Sequence, residues 1–593
     1  MIFKIKSLLL FFFLVSTHCF AQDKQIDSLF SQYNAQSAGV AVTVVKDGKI
    51  VFKKGYGLAN MEYDIPISPK TVFHVASVSK QFTTFAIYLL EKEGKISLDD
   101  NVQKYIPELP SFDKPITIRH LCSHTSGLKD QWSLLTLAGW RMDDVISTEQ
   151  ILKMVSMQKE LNFPVGTQFQ YSNTGFTLLA EIVSRVSKMS FAEYVQKNIF
   201  QPLGMTNSLV YDDHQKIVKN RAYSYEFKDG KYEKRKLNYS NVGATSVFTT
   251  AEDLAKWTMN FEEPIVGNTK LIERYNEISL LDDGKPNILT VLNGDTIYHA
   301  KGQFVRNYRG ITLYNHTGGD AGFRTYVVRF PEKKFSVILL SNDIDFDRLG
   351  NGLKIAEFYL KDDFEPQKEI VQKSTSDNSN EEVHQSDINK FVGNYYSSEL
   401  NTNYEVTTKD GSLFMQHSRL DIVKLKRAGE NKFEGVISFY VKINFLEDEK
   451  KNITGFEISN FGAKNMRFSK TTPPISILPN DNPIASQLAQ AQLEAYNNGN
   501  LEEFVKPYSE DVEIYLFPNQ SYGKGKEWMR ENYGKLFNNS PNLHCELVNR
   551  IILGDTVIDH EKVSGMQGIE TFEAVAIYKI ENNQIRKVYF IRK

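Results

Sequence analysis

Two polar stretches cut this chain into lengths that must fold separately: EPQKEIVQKSTSDNSNEEVHQSD at 365–387 and SKTTPPISILPNDNP at 469–483, the second carrying four prolines. Such composition cannot bury a core and favours an extended spacer, so both read as linkers. They leave blocks 22–364, 388–468 and 484–593, which suits a chain of 593 residues at about 150 residues per domain. Residues 1–21, MIFKIKSLLLFFFLVSTHCFA, combine Lys4 and Lys6 with an apolar run and small residues at Cys19 and Ala21. That is the pattern of a secretory signal cleaved after Ala21, and it predicts an exported protein, periplasmic or secreted.

The first block opens with VAVTVVKDGKIVFKKGYG, two β-branched runs around Asp47 and Gly48, a strong hairpin signal. Helical spacing follows at 77–93, from Ser172 and from Thr250, and strand-like runs return in ITLYNHTGG and TYVVRFPEKKFSVILLSN. Strands at both ends with helices between predict an α/β domain: an antiparallel sheet joining the two ends, flanked by helices, plus a helical subdomain. The second block is strand-rich, with YEVTTKDGSLFMQ as another Asp-Gly hairpin, and predicts a small all-β barrel or sandwich. The third starts with the amphipathic IASQLAQAQLEAYNNGN and ends in at least four strands, predicting an α+β fold with a helix lying in a curved sheet.

Charge narrows the partners. The formal net charge of −2 becomes slightly more negative once Lys4 and Lys6 leave with the signal, which invites neither nucleic acid nor an anionic membrane. The apolar run Leu8–Val15 is too short to span a bilayer, so no stable membrane insertion is expected after cleavage. Cys122 and Cys545, the cysteines left, fall in different blocks and predict no disulfide framework or cysteine metal site.

The chemistry begins at HVASVSKQFTTFAIYLLEKEG. Phe82, Phe85, Ala86, Leu89 and Leu90 repeat at helical spacing and Gly94 is a natural stop, which places Ser77 and Lys80 on one side of a helix start. A serine hydroxyl needs a proton acceptor, and a lysine becomes one when burial lowers its pKa, so the pair is a candidate nucleophile and base. The same S-x-x-K at Ser521 and Lys524 has no helical context and reads as surface. No G-x-S-x-G elbow, H-E-x-x-H helix, P-loop or G-x-G-x-x-G occurs, which argues against an α/β-hydrolase, a zinc protease or a nucleotide enzyme.

Tyr171 and Asn173 stand in FPVGTQFQYSNTGFTLLAEI, before a helix, and His316, Thr317, Gly318 and Gly319 in LYNHTGGDAGF, on or before a strand. In the order S-x-x-K, Y-x-N, H-x-G, residues 25–360 resemble the serine β-lactamase-like hydrolases related to class C β-lactamases, D-alanyl-D-alanine carboxypeptidases, D-aminopeptidases and certain esterases. The resemblance implies catalytic roles for Ser77, Lys80, Tyr171 and His316, with Asn173, Thr317, Gly318 and Gly319 binding substrate and no metal or organic cofactor. It makes Tyr171 the base: beside Lys80 its phenol, with an ordinary pKa of about 10, would be stabilised as the anion. Asn173 would orient Lys80 and the substrate amide, although an asparagine there also suits a helix N-cap. Gly318 and Gly319 would let the backbone approach the substrate, with the Ser77 and Gly319 N–H groups as oxyanion hole.

Class C β-lactamases carry lysine where His316 stands. A histidine of pKa about 6.5 is mostly neutral, so H-T-G supplies less positive charge and resembles the peptidase and aminopeptidase branches instead. If His316 must be protonated, kcat/KM should fall above neutral pH and His316→Lys should move that limb upward. A second YSN at Tyr239–Asn241 lacks the family context, and His120, His124 and Ser126 in ITIRHLCSHTSGLKD read as structural. The last block resembles the nuclear transport factor 2-like, SnoaL-like superfamily, whose cones bind small molecules or dimerise. This suggests a homodimer through that block, and reads Asp511, Glu513 and Asp559 as surface charge rather than pocket acids. The expected function is an exported serine hydrolase acting through an acyl-enzyme on Ser77 upon a small-molecule or peptide substrate, at an amide, peptide or ester bond, with β-lactam hydrolysis less favoured. The alternative is a catalytically silent penicillin-binding or ligand-sensing protein using the same cleft.

Overall fold

A computed structural model of the chain describes residues 21–292, 294–366, 388–471 and 483–592. The leader before Gln22 lies, but for Ala21, outside the described residues, as do most of the two expected linkers. No helix among the described residues is long and apolar enough to cross a membrane.

The first block is built on an eight-stranded antiparallel sheet. Its strands are β1 (Val40–Lys46), β2 (Lys49–Tyr56), β3 (Ile288–Leu292), β4 (Asp295–His299), β5 (Phe304–Tyr308), β6 (Ile311–Asp320), β7 (Phe323–Phe330) and β8 (Phe335–Ser341). They run in the order β3-β4-β5-β6-β7-β8-β1-β2, so the two ends of the block meet where β1 pairs β8 from Val40↔Ser341 to Lys46↔Phe335. The Asp-Gly signal between β1 and β2 is a tight turn with φ of 51° at Asp47 and 69° at Gly48, the left-handed pair that a two-residue hairpin requires. β1 is buried on both faces, and its period-2 alternation sorts its side chains into two cores. Val40, Val42 and Val44 join Phe30, Tyr326 and Ile355 on one side; Ala41 and Val45 join Phe82, Trp257 and Ile338 on the other.

The second core carries the helices that matter below: α1 (Ser79–Lys92), α2 (Gln131–Leu137) and α3 (Asn173–Ser187), while α4 (Arg348–Leu360) covers the first. In α1 every side chain from Ser79 to Leu90 is buried, because the helix runs through the middle of the packed layer. Residues 393–471 close into an eight-stranded barrel, which settles the barrel-or-sandwich alternative. Its strands alternate buried and exposed positions, and Phe391, Tyr395, Phe445, Phe456 and Phe468 fill its interior. The barrel shares one apolar cluster with the helical side of the first block. The fit is close: a Cβ on Gly139 would fall 1.9 Å from the His417 ring, and Arg419 pairs with Asp144 at 2.8 Å.

Residues 471–593 form a separate compact unit. A helix at Pro483–Asn497 packs on a six-stranded sheet whose strands Tyr508–Leu516 and Gln584–Arg592 are parallel and whose other pairs are antiparallel. Asp511 and Glu513 pair with Arg586 and Lys587 at the surface, as expected. Asp559 does not: it is fully buried and held by both ends of the Arg550 guanidinium at 2.7 Å. Beside it Tyr578 donates to Glu561 at 3.0 Å, and burial, aided by the Asp559 charge, pushes the Glu561 carboxyl up to about 7. A carboxyl with a raised folded pKa stabilises below its unfolded value, and that contribution disappears as pH rises through about 7. Hydrogen exchange across residues 544–592 is therefore expected to report a unit on the order of 3 kcal/mol less stable at pH 8 than at pH 5, a dependence that Glu561→Gln removes.

Candidate active site

The Ser77 turn is set by backbone strain and close packing. The chain leaves a short strand at Phe73–His74, and Ala76 adopts a φ of 48°, a left-handed conformation uncommon for a residue with a Cβ. A 3₁₀ turn at Ala76–Val78 follows and feeds α1. This turn rests on β6 at Gly318, where a Cβ would lie 2.2 Å from the Val75 carbonyl oxygen. Packing against the Ser77 turn by itself demands glycine at 318, a reason beyond the substrate approach expected from the sequence. Gly319 is the exposed one.

Lys80 is completely buried, and its Nζ has three partners: Asn173 Oδ1 at 2.8 Å, the Ala244 carbonyl at 2.7 Å and Ser77 Oγ at 3.1 Å. Burial lowers its pKa to about 7 against the opposing pull of Asp320 and Asp130. The partners decide what the neutral amine does. Two of them are carbonyl oxygens, which only accept, so they consume both amine hydrogens and leave the lone pair facing Ser77 Oγ. A neutral Lys80 amine held this way presents its lone pair to Ser77 Oγ.

Tyr171 lies against the same group, its hydroxyl on the Ser77 side of the pocket. The Lys80 Nζ, however, stands over the ring face, 4.8 Å from the centroid, and does not pair with the phenol oxygen. Burial pushes the phenol well above its usual range, Asp130 and Asp320 add to this, and Ser77 partly opposes it. This favours the hydroxyl over the phenolate expected from the sequence, and the Lys80 ammonium meets the ring face and not the oxygen. His316 is likewise buried, and desolvation together with the Lys80 charge lowers its pKa to about 3. Its Nδ1–H donates to the Thr317 carbonyl at 2.6 Å, leaving Nε2 as a buried acceptor without a protein partner. The Tyr171 and His316 rings stand 6.4 Å apart. Thr317 is half-buried on the opposite face of β6 from His316.

Asn173 is not the helix cap. Ser172 caps α3, its hydroxyl accepting from the Gly175 N–H at 3.4 Å, and this frees the Asn173 side chain for Lys80. The Asn173 side-chain and backbone N–H groups both donate to Asp130 Oδ2, at 2.9 and 2.6 Å. Asp130 is a residue the motifs missed, although it ends the HTSGLKD run noted in the sequence. Of the three residues assigned to structure there, His120 fills a helix capping box and Ser126 bonds the Leu128 N–H. His124, by contrast, packs its buried ring 4.4 Å from that of Tyr171 and accepts the Ser172 N–H, so it forms part of the site wall. The second YSN contributes only Tyr239, stacked on Trp132.

Beyond Gly319 a cleft of about 1040 Å³ opens between the helical subdomain, the end of β6 and the barrel. The guanidinium groups of Arg324 and Arg348 come within 3.6 Å of where a Gly319 Cβ would stand. Burial lowers both pKa values, and neither has a carboxylate within 4.0 Å among the described residues. Arg141, Lys234 and Arg419 line the same cleft but are paired with Asp143, Glu62 and Asp144, and Asp320 and Asp421 line it as well.

Comparison with known proteins agrees with this geometry. The family model described as Beta-lactamase matches residues 26–358, and the SnoaL-like domain model matches residues 489–588. Penicillin-binding protein 4* of Bacillus subtilis (strain 168) is 26% identical over 442 residues, covering 70% of this chain and 92% of that relative. Protein flp of Staphylococcus aureus (strain MRSA252) is 27% identical over 331 residues, 54% of this chain and 62% of the relative's own length. Among solved structures, the octameric penicillin-binding protein homologue from Pyrococcus abyssi aligns with a TM-score of 0.51 at 22% identity, covering 76% of this chain and 99% of that one.

Proposed function

The chain belongs to the beta-lactamase family, a family of serine hydrolases, and from that premise we propose that it is an exported hydrolase forming an acyl-enzyme on Ser77. The observation that carries the reading is the confinement of the Lys80 lone pair to Ser77 Oγ by two carbonyl acceptors. In this reading neutral Lys80 takes the Ser77 proton as the oxygen attacks a carbonyl carbon. The Ser77 and Gly319 N–H groups receive the oxyanion, and Lys80, now carrying the Ser77 proton, returns it to the leaving atom beside the Tyr171 hydroxyl. The same lysine then activates water to release the acyl group. The leader of residues 1–21 supports the exported location.

Arg324 and Arg348 favour a substrate that ends in a carboxylate, which points to short peptides, including D-amino-acid peptides, ahead of simple esters. Free-acid peptides, their C-terminal amides, acyl esters and nitrocefin assayed side by side test this. Amidation is expected to raise KM roughly 10- to 100-fold, the range of a lost charge-assisted hydrogen bond, and Arg348→Ala to do the same for the free acid only. Equal turnover of acid and amide would remove the carboxylate from the reading. Folded protein that never labels with a fluorophosphonate or penicillin would replace the hydrolase by the silent binder.

A further inference from the structure

We propose that the barrel is a working part of the active site: its loop Asn460–Lys464 holds Asp130, and through Asp130 and Asn173 sets the place of Lys80 against Ser77. The inference rests on the hydrolase reading above and adds Gly462 and Asp130 to it as positioning residues.

The contacts form one unbroken series. The Asp130 N–H donates to the Gly462 carbonyl at 2.7 Å. Asp130 Oδ1 accepts the Trp132 N–H at the start of α2, and Oδ2 accepts both donors of Asn173. Asn173 Oδ1 then accepts from Lys80, which reaches Ser77. Both carboxylate oxygens and the N–H of Asp130 are thereby engaged, which ties the position of the residue to the barrel loop, α2 and Asn173 at once. The loop is itself held from both sides. Within it Asn460 Oδ1 accepts the Gly462 and Ala463 N–H groups at 3.0 and 2.8 Å. From the helical subdomain Asn162 donates to the Gly462 carbonyl at 2.9 Å and accepts the Lys464 N–H at 2.8 Å, and Gln170, next to Tyr171, donates to the Phe461 carbonyl.

The approach leaves no room for a side chain. A Cβ on Gly462 would fall 2.7 Å from Asp130 Cβ and 2.5 Å from Ser133 Oγ, so any other residue there must push the loop or Asp130 away. A barrel that only covered apolar surface would need no glycine at that point and no hydrogen bond to the residue that holds Asn173.

The test uses the full chain. Besides Asp130, the titratable groups facing Lys80 are Asp320, Tyr171, His124 and His316. Gly462→Ala is expected to slow acylation of Ser77 by a labelled penicillin or fluorophosphonate at least tenfold, with the unfolding temperature within a few degrees of the parent. Asn162→Ala, which loosens the loop without touching Asp130, should act in the same direction. Asp130→Asn removes one of the two carboxylates that favour the charged lysine, so the Lys80 titration followed by NMR should move to lower pH. Gly462→Ala should shift it too, a readout that needs no turnover. Folded Gly462→Ala with parental acylation and an unmoved Lys80 titration would overturn the proposal. A parent that never acylates, with Lys80 still shifted in the variant, would instead sink the hydrolase reading and leave the coupling standing.

Discussion

Replacing Ser77 by alanine is expected to abolish covalent labelling and to lower turnover by on the order of 10⁴- to 10⁶-fold, as for other enzymes that lose an activated nucleophile. The change should leave the fold intact. Ser77 is only half-buried, and alanine suits the start of α1. Intact-mass analysis after incubation with a fluorophosphonate should show one adduct on the parent chain and none on the variant. An adduct that persists in Ser77→Ala would place the nucleophile elsewhere.

The second large effect is a pH limb owned by Lys80. Because the base works only as the neutral amine, kcat/KM should rise with pH through about 7 and then level off. His316 stays neutral across this range, since its pKa lies at about 3. The descending limb anticipated for a protonated histidine is therefore not expected. A new cation beside Lys80 would push the Lys80 pKa further down, so His316→Lys should move the rising limb to lower pH, opposite to the direction the motif alone suggested. Lys80→Met should cost roughly 10³- to 10⁴-fold in rate. It should also stabilise the protein, because a buried lysine with a depressed pKa burdens the folded state most below about 7 and least above its unfolded value of 10.5. Thermal unfolding of Lys80→Met at pH 6 and pH 10 checks the sign: the gain should be larger at pH 6.

Much of this molecule could be read from local pattern. The Asp47–Gly48 hairpin, the buried repeat of α1 and the strand-rich second block are signals carried by neighbouring residues; of the motif residues, Ser77 and Asn173 meet at Lys80, and the His316 ring stands 6.4 Å from that of Tyr171. What stayed hidden depends on distant contacts. Nothing near Asp130 in sequence announces Asn173 or Gly462, because those bonds close loops of 43 and about 330 residues. The reason for Gly318 lay in Val75, far along the chain. The upward shift at Tyr171 comes first from burial of its hydroxyl, which residue types alone do not encode. Asp559 was misread as surface because a lone acidic residue on an alternating strand normally is; the Arg550 that makes its burial tolerable is its partner on the neighbouring strand, a register the residue types alone do not give.

The apolar cluster shared by the helical subdomain and the barrel has a practical corollary for anyone trimming this chain. A fragment ending at Phe364, the boundary a motif search would choose, keeps Ser77, Lys80, Tyr171 and His316 but strips the covering from Gly139, Lys129 and the apolar residues behind α2. Such a fragment would expose the apolar surface that the barrel covers. The natural place to cut is after the last barrel strand, near Lys470.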